Sequence, residues 1–488
     1  MHLRTLMVAL SVIAALLAVP AGAASASPAP GPGGSFVDDD GHPAEAHIEA
    51  AVAAGLLDGC DRLEPDRFCP TARASWSEVA EGLSKVLGRV PDLACTGAFC
   101  SALSVPASVV IGALSTRLAA IHSLRVDMPI DRATLAFVLA SAADLDLPEV
   151  SERRSFRIAA TGDILPHIPV MAQAARYGGD DGFDFGPMFA SIEPIISAAD
   201  LGLCHLETPL SADDADLSSY PVFSSPGAIA AAVANAGYEG CSTASNHSFD
   251  RRRTGVADTL GLLEEAGLGR AGTTDHEQEP AWWVYDVNGV RVAHLAYAYW
   301  LNGFRLPADQ PWLVNLIDEE RILADAAAVR ARGAEFVVVS LHWGNEYQST
   351  PTRGQRSTAR TLLDSPDIDV IIGHHAHVVQ AVEMINGKYV LYGLGNIISN
   401  QFFSLPTQDG VIAILDVVEG NDGFSVGGIR FIPTKVERGS FRVIPIPVEL
   451  GSAPDSQTRW ALEQSWNRTA RALSSLDESI AGMVAPIR

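Results

Sequence analysis

Five short segments hold side chains suited to binding a divalent cation. Asp163 ends Ile158-Ala159-Ala160-Thr161-Gly162-Asp163, and His167 follows four residues on. Asp200-Leu201-Gly202-Leu203-Cys204-His205-Leu206-Glu207 brings an imidazole and a carboxylate, and Ala244-Ser245-Asn246-His247-Ser248-Phe249-Asp250 adds an amide, an imidazole and an acid. Leu341-His342-Trp343-Gly344-Asn345-Glu346 is the fourth segment, and Gly373-His374-His375-Ala376-His377 packs three imidazoles into four residues. A lone Asp at a strand end is usually a cap, and a lone His is usually a satisfied polar group. Here seven of 13 histidines fall in these segments, and that concentration points to a shared site. Carboxylate, amide oxygen and imidazole without thiolate suit Mn, Fe or Zn ions in a reactive role better than a structural zinc. Two such ions sharing one bridging carboxylate activate water and clamp phosphoryl oxygens in an in-line displacement. Asn246-His247-Ser248 also matches a glycosylation acceptor, which would require exposure.

Each segment must be presented by the element before it. Apolar strand-like runs cover Phe156 to Ala160, Leu201 to His205, Val290 to Ala296, Phe336 to Leu341, Val370 to Ile372, Val390 to Gly393 and Val411 to Val417. Helical patterns lie between them at Met188 to Ala198, Ala228 to Asn235, Thr254 to Glu265, Glu319 to Arg332 and Gln355 to Leu363. Strands alternating with helices predict a layered α/β domain over 155–450. Polar clusters just past strand ends are where such sheets build their sites. Phe424 to Val448 reads as β-rich, and 451–488 as a C-terminal helical tail with its helix over Thr458 to Leu473.

Taken in order, Gly162-Asp163, Asp200 to Leu206-Glu207, Asn246-His247-Ser248-Phe249-Asp250, His342-Trp343-Gly344-Asn345-Glu346-Tyr347, Gly373-His374-His375-Ala376-His377-Val378-Val379-Gln380 and Leu391-Tyr392-Gly393-Leu394-Gly395-Asn396 resemble the CapA family. These are bacterial capsule and poly-γ-glutamate synthesis proteins, and the resemblance spans about residues 156–448. The family is similar in fold to calcineurin-like metallophosphoesterases, so the resemblance implies two β-sheets flanked by helices in a four-layer sandwich. It implies Asp163 as ligand of one metal, Glu207 near the bridging position, Asn246 and His342 on the second metal, and one nitrogen to each metal from His375 and His377. His247 would stand by the leaving group, with Asp250 beside it among the catalytic candidates. His374, His205 and His167 are alternative ligands or supports for ligands. The sequence departs from the phosphoesterase pattern in two places. Ile164-Leu165 follow Asp163 where Asp-x-His is usual, leaving His167 as a substitute. Glu207 stands where the phosphoesterases have Asp, and His205 where CapA relatives commonly have Asn.

Arg251-Arg252-Arg253 stands out in an acidic chain and reads either as an anion clamp or as a solvated helix start. With Glu346 and Asn396 it completes the candidate substrate contacts. Trp343, Tyr347 and Tyr392 read equally as cleft lining or core. Cys204 and Cys241 read as two buried thiols, with a disulfide as the alternative if their strands adjoin.

The chain of 488 residues has a formal charge of -24, which disfavours nucleic acid and anionic membrane as partners. Arg4, the apolar run Leu6 to Val19 and Ala21-Gly22-Ala23-Ala24-Ser25-Ala26 predict a signal peptide over 1–26. Together with the lack of a later transmembrane run, this predicts a secreted or cell-surface protein of the bacterial envelope. A flexible linker is expected over 27–43. A helical region over 44–148 follows, with local disulfides Cys60–Cys69 and Cys95–Cys100. Gly55-Leu56-Leu57-Asp58-Gly59-Cys60, Phe68-Cys69-Pro70 and Thr71-Ala72-Arg73-Ala74, echoed by Asp131-Arg132-Ala133, resemble S-layer homology repeats. That likeness implies a cell-wall polymer as partner of this region. Two functions are expected to compete: a metal-dependent, phosphoesterase-like hydrolase acting on an anionic envelope polymer or its precursor, and a non-catalytic protein that binds or helps export such a polymer.

Overall fold

The computed structural model describes residues 154–420, 423–453 and 455–486. The signal peptide, linker, S-layer-like region and its two cysteine pairs lie outside the described residues. Two sheets carry the described fold. The first is ordered β16 (Val443–Pro445), β15 (Gly423–Val436), β14 (Asp409–Gly420), β1 (Ser155–Leu165), β2 (Leu201–Leu206), β5 (Gly240–Ser242) and β6 (Gly269–Ala271). β13 (Asn396–Ser399) pairs with the last residues of β1. The second sheet is ordered β11 (Val382–Ile385), β12 (Lys388–Leu391), β10 (Val370–His374), β9 (Phe336–His342), β8 (Val290–Ala298) and β7 (Trp282–Val287). A small ladder joins β3 (Leu210–Ser211) to β4 (Ser225–Pro226). β1, β2, β5 and β6 run parallel in one sheet, as do β8, β9, β10 and β12 in the other. Each parallel set therefore delivers its carboxyl ends to one edge.

The alternation of side chains along each strand builds the layers. Phe156, Ile158 and Ala160 of β1 and Leu201 and Leu203 of β2 meet Val290, Val292, Phe336, Val338, Val370 and Ile372 of the second sheet in one buried cluster. Each such aliphatic side chain contributes roughly 1.5–3 kcal/mol on burial. The opposite face of the first sheet, with Ala159, Cys204, Leu206 and Ile414, packs on helices α1 (Ile168–Gly178) and α2 (Ala228–Asn235) and on Leu263 of α3 (Arg252–Glu265). Val337, Val339, Leu341 and Ile371 of the second sheet face α4 (Glu319–Ala331) and α5 (Arg353–Leu363). Helix, sheet, sheet and helix make the four-layer sandwich that the resemblance implies.

Local signals fix where the helices begin. Thr352 and Gln355 form a reciprocal capping box that starts α5, and the Asp318 side chain caps α4. Met188 to Ala198, expected as one helix, is instead two single turns, Gly186–Phe189 and Glu193–Ile196. Pro194 lacks the N–H that a continuous helix would need there. Helix α1 was not expected from the sequence. The C-terminal segment is helical, with α6 over Ser456–Leu473, and it is more than a tail: Leu473, Ile480 and Val484 enter the inter-sheet core.

Two features prepare the site. Cys204 and Cys241, expected as free thiols, face each other in register on β2 and β5 with Cα atoms 4.5 Å apart, and they are bonded. Strand adjacency brings about the disulfide that the sequence left as the alternative. In β1 the register against β2 shifts between Ala160 and Asp163, which pair with Leu203 and His205. Three steps on β1 thus match two on β2, a β-bulge. It moves Asp163 onto the inward row of Phe156, Ile158 and Ala160, while Ile164 joins the helix side. The backbone is tight there, since a Cβ on Gly162 would lie 2.0 Å from the Gly395 carbonyl oxygen.

Candidate metal centre

The inward rows turn from hydrocarbon to imidazole at their carboxyl ends. In β2 the row reads Leu201, Leu203, His205; in β9, Phe336, Val338, Ser340, His342; in β10, Val370, Ile372, His374. Asp163, His205, Glu207, Asn246, His247, Asp250, His342, His374, His375 and His377 are all buried. Asp163, His205 and His374 offer atoms within 4.8 Å of one another, and so do Glu207, His375 and His377.

Asp163 lies at the heart of the cluster. Its Oδ1 is 3.3 Å from His374 Nδ1, its Oδ2 is 3.2 Å from His377 Nδ1, and the His375 backbone N–H donates to Oδ2 at 3.2 Å. Glu207 Oε1 sits between His377 Nε2 at 3.6 Å and His342 Nε2 at 3.9 Å. The His342 and His375 rings are 4.6 Å apart. His375 and His377 both have positive φ, 86° and 54°, a backbone region that costs non-glycine residues of order 1–3 kcal/mol and clusters at functional sites. Asn396 braces this turn. Its Oδ1 is 3.1 Å from His377 Nδ1, and its amide donates to the carbonyls of His377 and Thr407 at 3.3 and 2.9 Å.

A hydrogen-bonded string crosses from one sheet to the other. His205 Nδ1 is 2.7 Å from Ser242 Oγ, His205 Nε2 is 2.9 Å from His342 Nδ1, and His342 Nε2 is 2.7 Å from Asn246 Oδ1. Both nitrogens of His205 are engaged, so His205 supports His342 although it lies close to Asp163; its ring also stacks on His374 at 4.1 Å. The string admits two directions. In one, His342 Nε2–H donates to Asn246. In the other, His342 Nδ1–H donates to His205, and the lone pairs of His342 Nε2 and Asn246 Oδ1 face one another, an arrangement that a cation stabilises.

Burial shapes the charges. Desolvation holds the Glu207 carboxyl well above the usual carboxylate range, only partly opposed by His377. Burial would also raise Asp163, but the neighbouring His374 and His377 imidazoles reverse this and hold it well below. His205 and His342 are pushed well below the ordinary imidazole value by burial and by neighbouring imidazoles. His375 falls to about 3 through burial and His377. His377 rises to about 9, because Glu207 and Asp163 outweigh its burial. Six of the twelve buried side-chain polar atoms without a hydrogen-bond partner among the described residues lie here: Asp163 Oδ1, both Glu207 oxygens, Asp250 Oδ1, His374 Nδ1 and His375 Nδ1. Buried polar atoms are normally paired, and this oxygen and nitrogen set fits divalent cations.

The remaining candidates divide. His247 Nδ1 is 2.7 Å from Asp250 Oδ2, which also accepts the Phe223 N–H at 2.7 Å. His167 stands at the residue before α1 without capping it through its side chain, its Nδ1 3.0 Å from the Leu165 carbonyl. Glu346 is exposed on the loop after β9. The arginines are occupied with the protein itself: Arg251 binds Asp258 and the Leu210 carbonyl, Arg252 lies 3.7 Å over the Phe304 ring, and Arg253 donates to the Asp275 carbonyl. Trp343 and Tyr392 stack in the core beneath α5, whereas Tyr347 is 45% exposed with its ring 6.0 Å from His377. Sequence reasoning missed the loop after β8. Its Tyr299 ring is 5.0 Å from the His375 ring, and its Asn302 touches both Asn246 and His247. The visible signal was the dipeptide Asn302-Gly303, whose residues take φ of 48° and 81° in a turn.

The chain is 28% identical to the capsule biosynthesis protein CapA of Bacillus anthracis over 289 residues, 55% of this chain and 68% of that protein. It is 26% identical to the PGA biosynthesis protein CapA of Bacillus subtilis over 351 residues, 67% of this chain and 86% of that protein. Among solved structures, the calcineurin-like phosphoesterase YfkN of Bacillus subtilis matches with a TM-score of 0.37 at 13% identity, covering 65% of this chain and 98% of that one. The sandwich assignment stands on the chain's own two sheets. The family model for bacterial capsule synthesis protein PGA_cap matches residues 157–401, half of the chain and every segment of the metal centre, and the protein belongs to that family.

Proposed function

We propose that the protein is a metal-dependent, phosphoesterase-like hydrolase of capsule or poly-γ-glutamate biosynthesis, exported to the bacterial envelope and acting on an anionic polymer or its precursor. The observation that carries this reading is the gathering of buried, unpartnered polar atoms of Asp163, Glu207, His374 and His375 from both sheets in two adjacent ligand groups. Asp163 and His377 would hold one ion, Asn246, His342 and His375 the other, with Glu207 between them and His374 as a further donor to the first. When bound, Mn, Fe or Zn supplies Lewis acidity toward a phosphoryl oxygen and lowers the pKa of water.

The chain's own residues do the rest. His247, aligned by the Asp250 carboxylate through Nδ1, presents Nε2 as the proton-handling atom beside the leaving group. Ser242 and His205 set the direction of His342. Asn396 holds the His377 turn. Tyr299 and Tyr347, 42% and 45% exposed, flank the His375 and His377 rings and exclude water from the cluster's rim. With Arg251 and Arg252 tied to Asp258 and Phe304, the exposed Arg253, which gives one donor to the Asp275 carbonyl, is the member of that run with donors left for an anion. Among the described residues no helix is long and apolar enough to cross a membrane.

The test uses the full chain. Elemental analysis should find two divalent ions per molecule, and bis(p-nitrophenyl) phosphate should be hydrolysed, with both properties lost in His342→Ala and His375→Ala. Binding of polyglutamate that survives chelation, without hydrolysis under any of the three ions, would replace this reading with the non-catalytic one.

A further inference from the structure

Beyond the ligands themselves, one residue ties the two halves of the site together. Asn302 lies on the loop that follows β8. Its Oδ1 accepts a hydrogen bond from Asn246 Nδ2 at 3.1 Å, while its Nδ2 lies 3.2 and 3.3 Å from the two ring nitrogens of His247. Asn246 turns its other end, Oδ1, to His342 Nε2 at 2.7 Å. An asparagine amide has two ends of almost equal shape and opposite polarity. If Asn246 flipped, an N–H donor would face the second metal position, and the cation would meet a positive dipole. The acceptor at Asn302 holds the oxygen end inward.

Asn302 is itself held from flipping. Its Nδ2 end lies almost equally far from both ring nitrogens of His247, over the ring, where the π face favours an N–H over a carbonyl oxygen. The loop is anchored on both flanks. The Tyr299 N–H donates to the His342 carbonyl at 3.0 Å, Leu301 is buried, and Phe304 lies under the Arg252 guanidinium at 3.7 Å. Asp250, His247, Asn302, Asn246 and His342 thus form one continuous chain of contacts from the proton-handling pair to the second metal position.

We propose that Asn302 is a positioning residue that fixes the polarity of the Asn246 amide toward the second ion and thereby couples that ion to His247. The proposal rests on the two-metal reading above. The experiment is a titration of the metal-free full chain with Co²⁺ alone, followed by visible absorption and by ion content after dialysis, for the wild type, Asn302→Leu and Asn302→Asp. Leu removes both hydrogen bonds at similar volume, whereas Asp keeps the acceptor for Asn246 and loses the donor toward His247.

Asn302→Leu should weaken the second ion about 10–100-fold, the usual effect of removing a support behind a metal ligand, and leave the first ion unchanged. Asn302→Asp should keep the second ion at wild-type affinity or tighter. Wild-type binding of the second ion by Asn302→Leu overturns the proposal. So does equal weakening by both variants accompanied by a drop in the unfolding midpoint under chelator, because that pattern marks a role in folding only. A wild type that binds no second ion instead defeats the two-metal reading, and the proposal falls with it. The two failures are told apart by the wild-type stoichiometry.

Discussion

The two sheets bring different chemistry to the same edge. The first contributes the oxygen donors Asp163, Glu207 and Asn246, with the imidazole of His205 beside them. The second contributes His342, His374, His375 and His377. Burial strains these two walls in opposite ways. A buried imidazole can escape desolvation by staying neutral, its ligand form, as His342 and His375 do, whereas Glu207 and Asp163 raise His377 to about 9. A buried carboxylate has no such release without a proton or a cation, as both unpartnered oxygens of Glu207 show. His342 and His375 thus fold in their ligand form, whereas Glu207 would gain a partner from a cation. On the two-metal reading, a cation would add a further tie between the sheets.

Breaking either wall at a proposed ligand should have the largest effect. His375→Ala and Asp163→Asn should each lower phosphodiester turnover by about 10³-fold or more, since a missing ligand removes most of the electrostatic stabilisation; full activity in either variant would show that the two walls do not share ions. The acid response should separate the walls further. His294, in the inward row of β8, is held down to about 3 by burial and by His374. Its folded value lies below the unfolded 6.5. It therefore contributes stability that is fully present above pH 6.5 and lost as pH falls toward 3, about 1.4 kcal/mol per pH unit within that window. The fall in unfolding free energy between pH 7 and 5, measured under chelator, should be smaller in His294→Asn than in the wild type.

Removing the covalent tie within the first wall, by Cys204→Ala with Cys241→Ala, should cost about 3 kcal/mol in denaturant unfolding. The walls should diverge most clearly in metal-free protein. There Glu207→Gln should raise stability by about 1–2 kcal/mol, because it removes a buried group that favours ionisation only in water, while His342→Ala should lower it. With Mn²⁺ present, Glu207→Gln should become the weaker protein. Similar midpoints with and without the ion would mean that Glu207 meets no cation. Arg252→Ala, which frees Phe304 at the edge of the loop after β8, should cost only about 0.5–1 kcal/mol.

Much of this was legible in the sequence because a two-residue period writes both the core and the site. Phe336, Val338, Ser340 and His342 are one row, and its polar end marks the site. What was not legible depends on three-dimensional neighbours. The Cys204–Cys241 bond required knowing that β2 and β5 are adjacent. The segment 188–198 has apolar spacing compatible with a helix, yet Pro194 breaks it. The arginine run looked free because its partners, Asp258, Phe304 and Asp275, come from the following helix and from more distant loops. Asn302 carries no charge and no periodicity, so only its contact with Asn246 reveals it.

The bulge in β1 gives chain length itself a functional meaning. Asp163 faces the histidines because one residue more than a regular strand would use separates it from Ala160. Deleting a single residue from this stretch would leave every ligand in place in the sequence and turn the carboxylate toward the helix layer. An inventory of ligands is thus an incomplete description of such a site. For a relative that keeps all the histidines and acids, the parity of the spacing before the aspartate decides whether the cluster is closed or open.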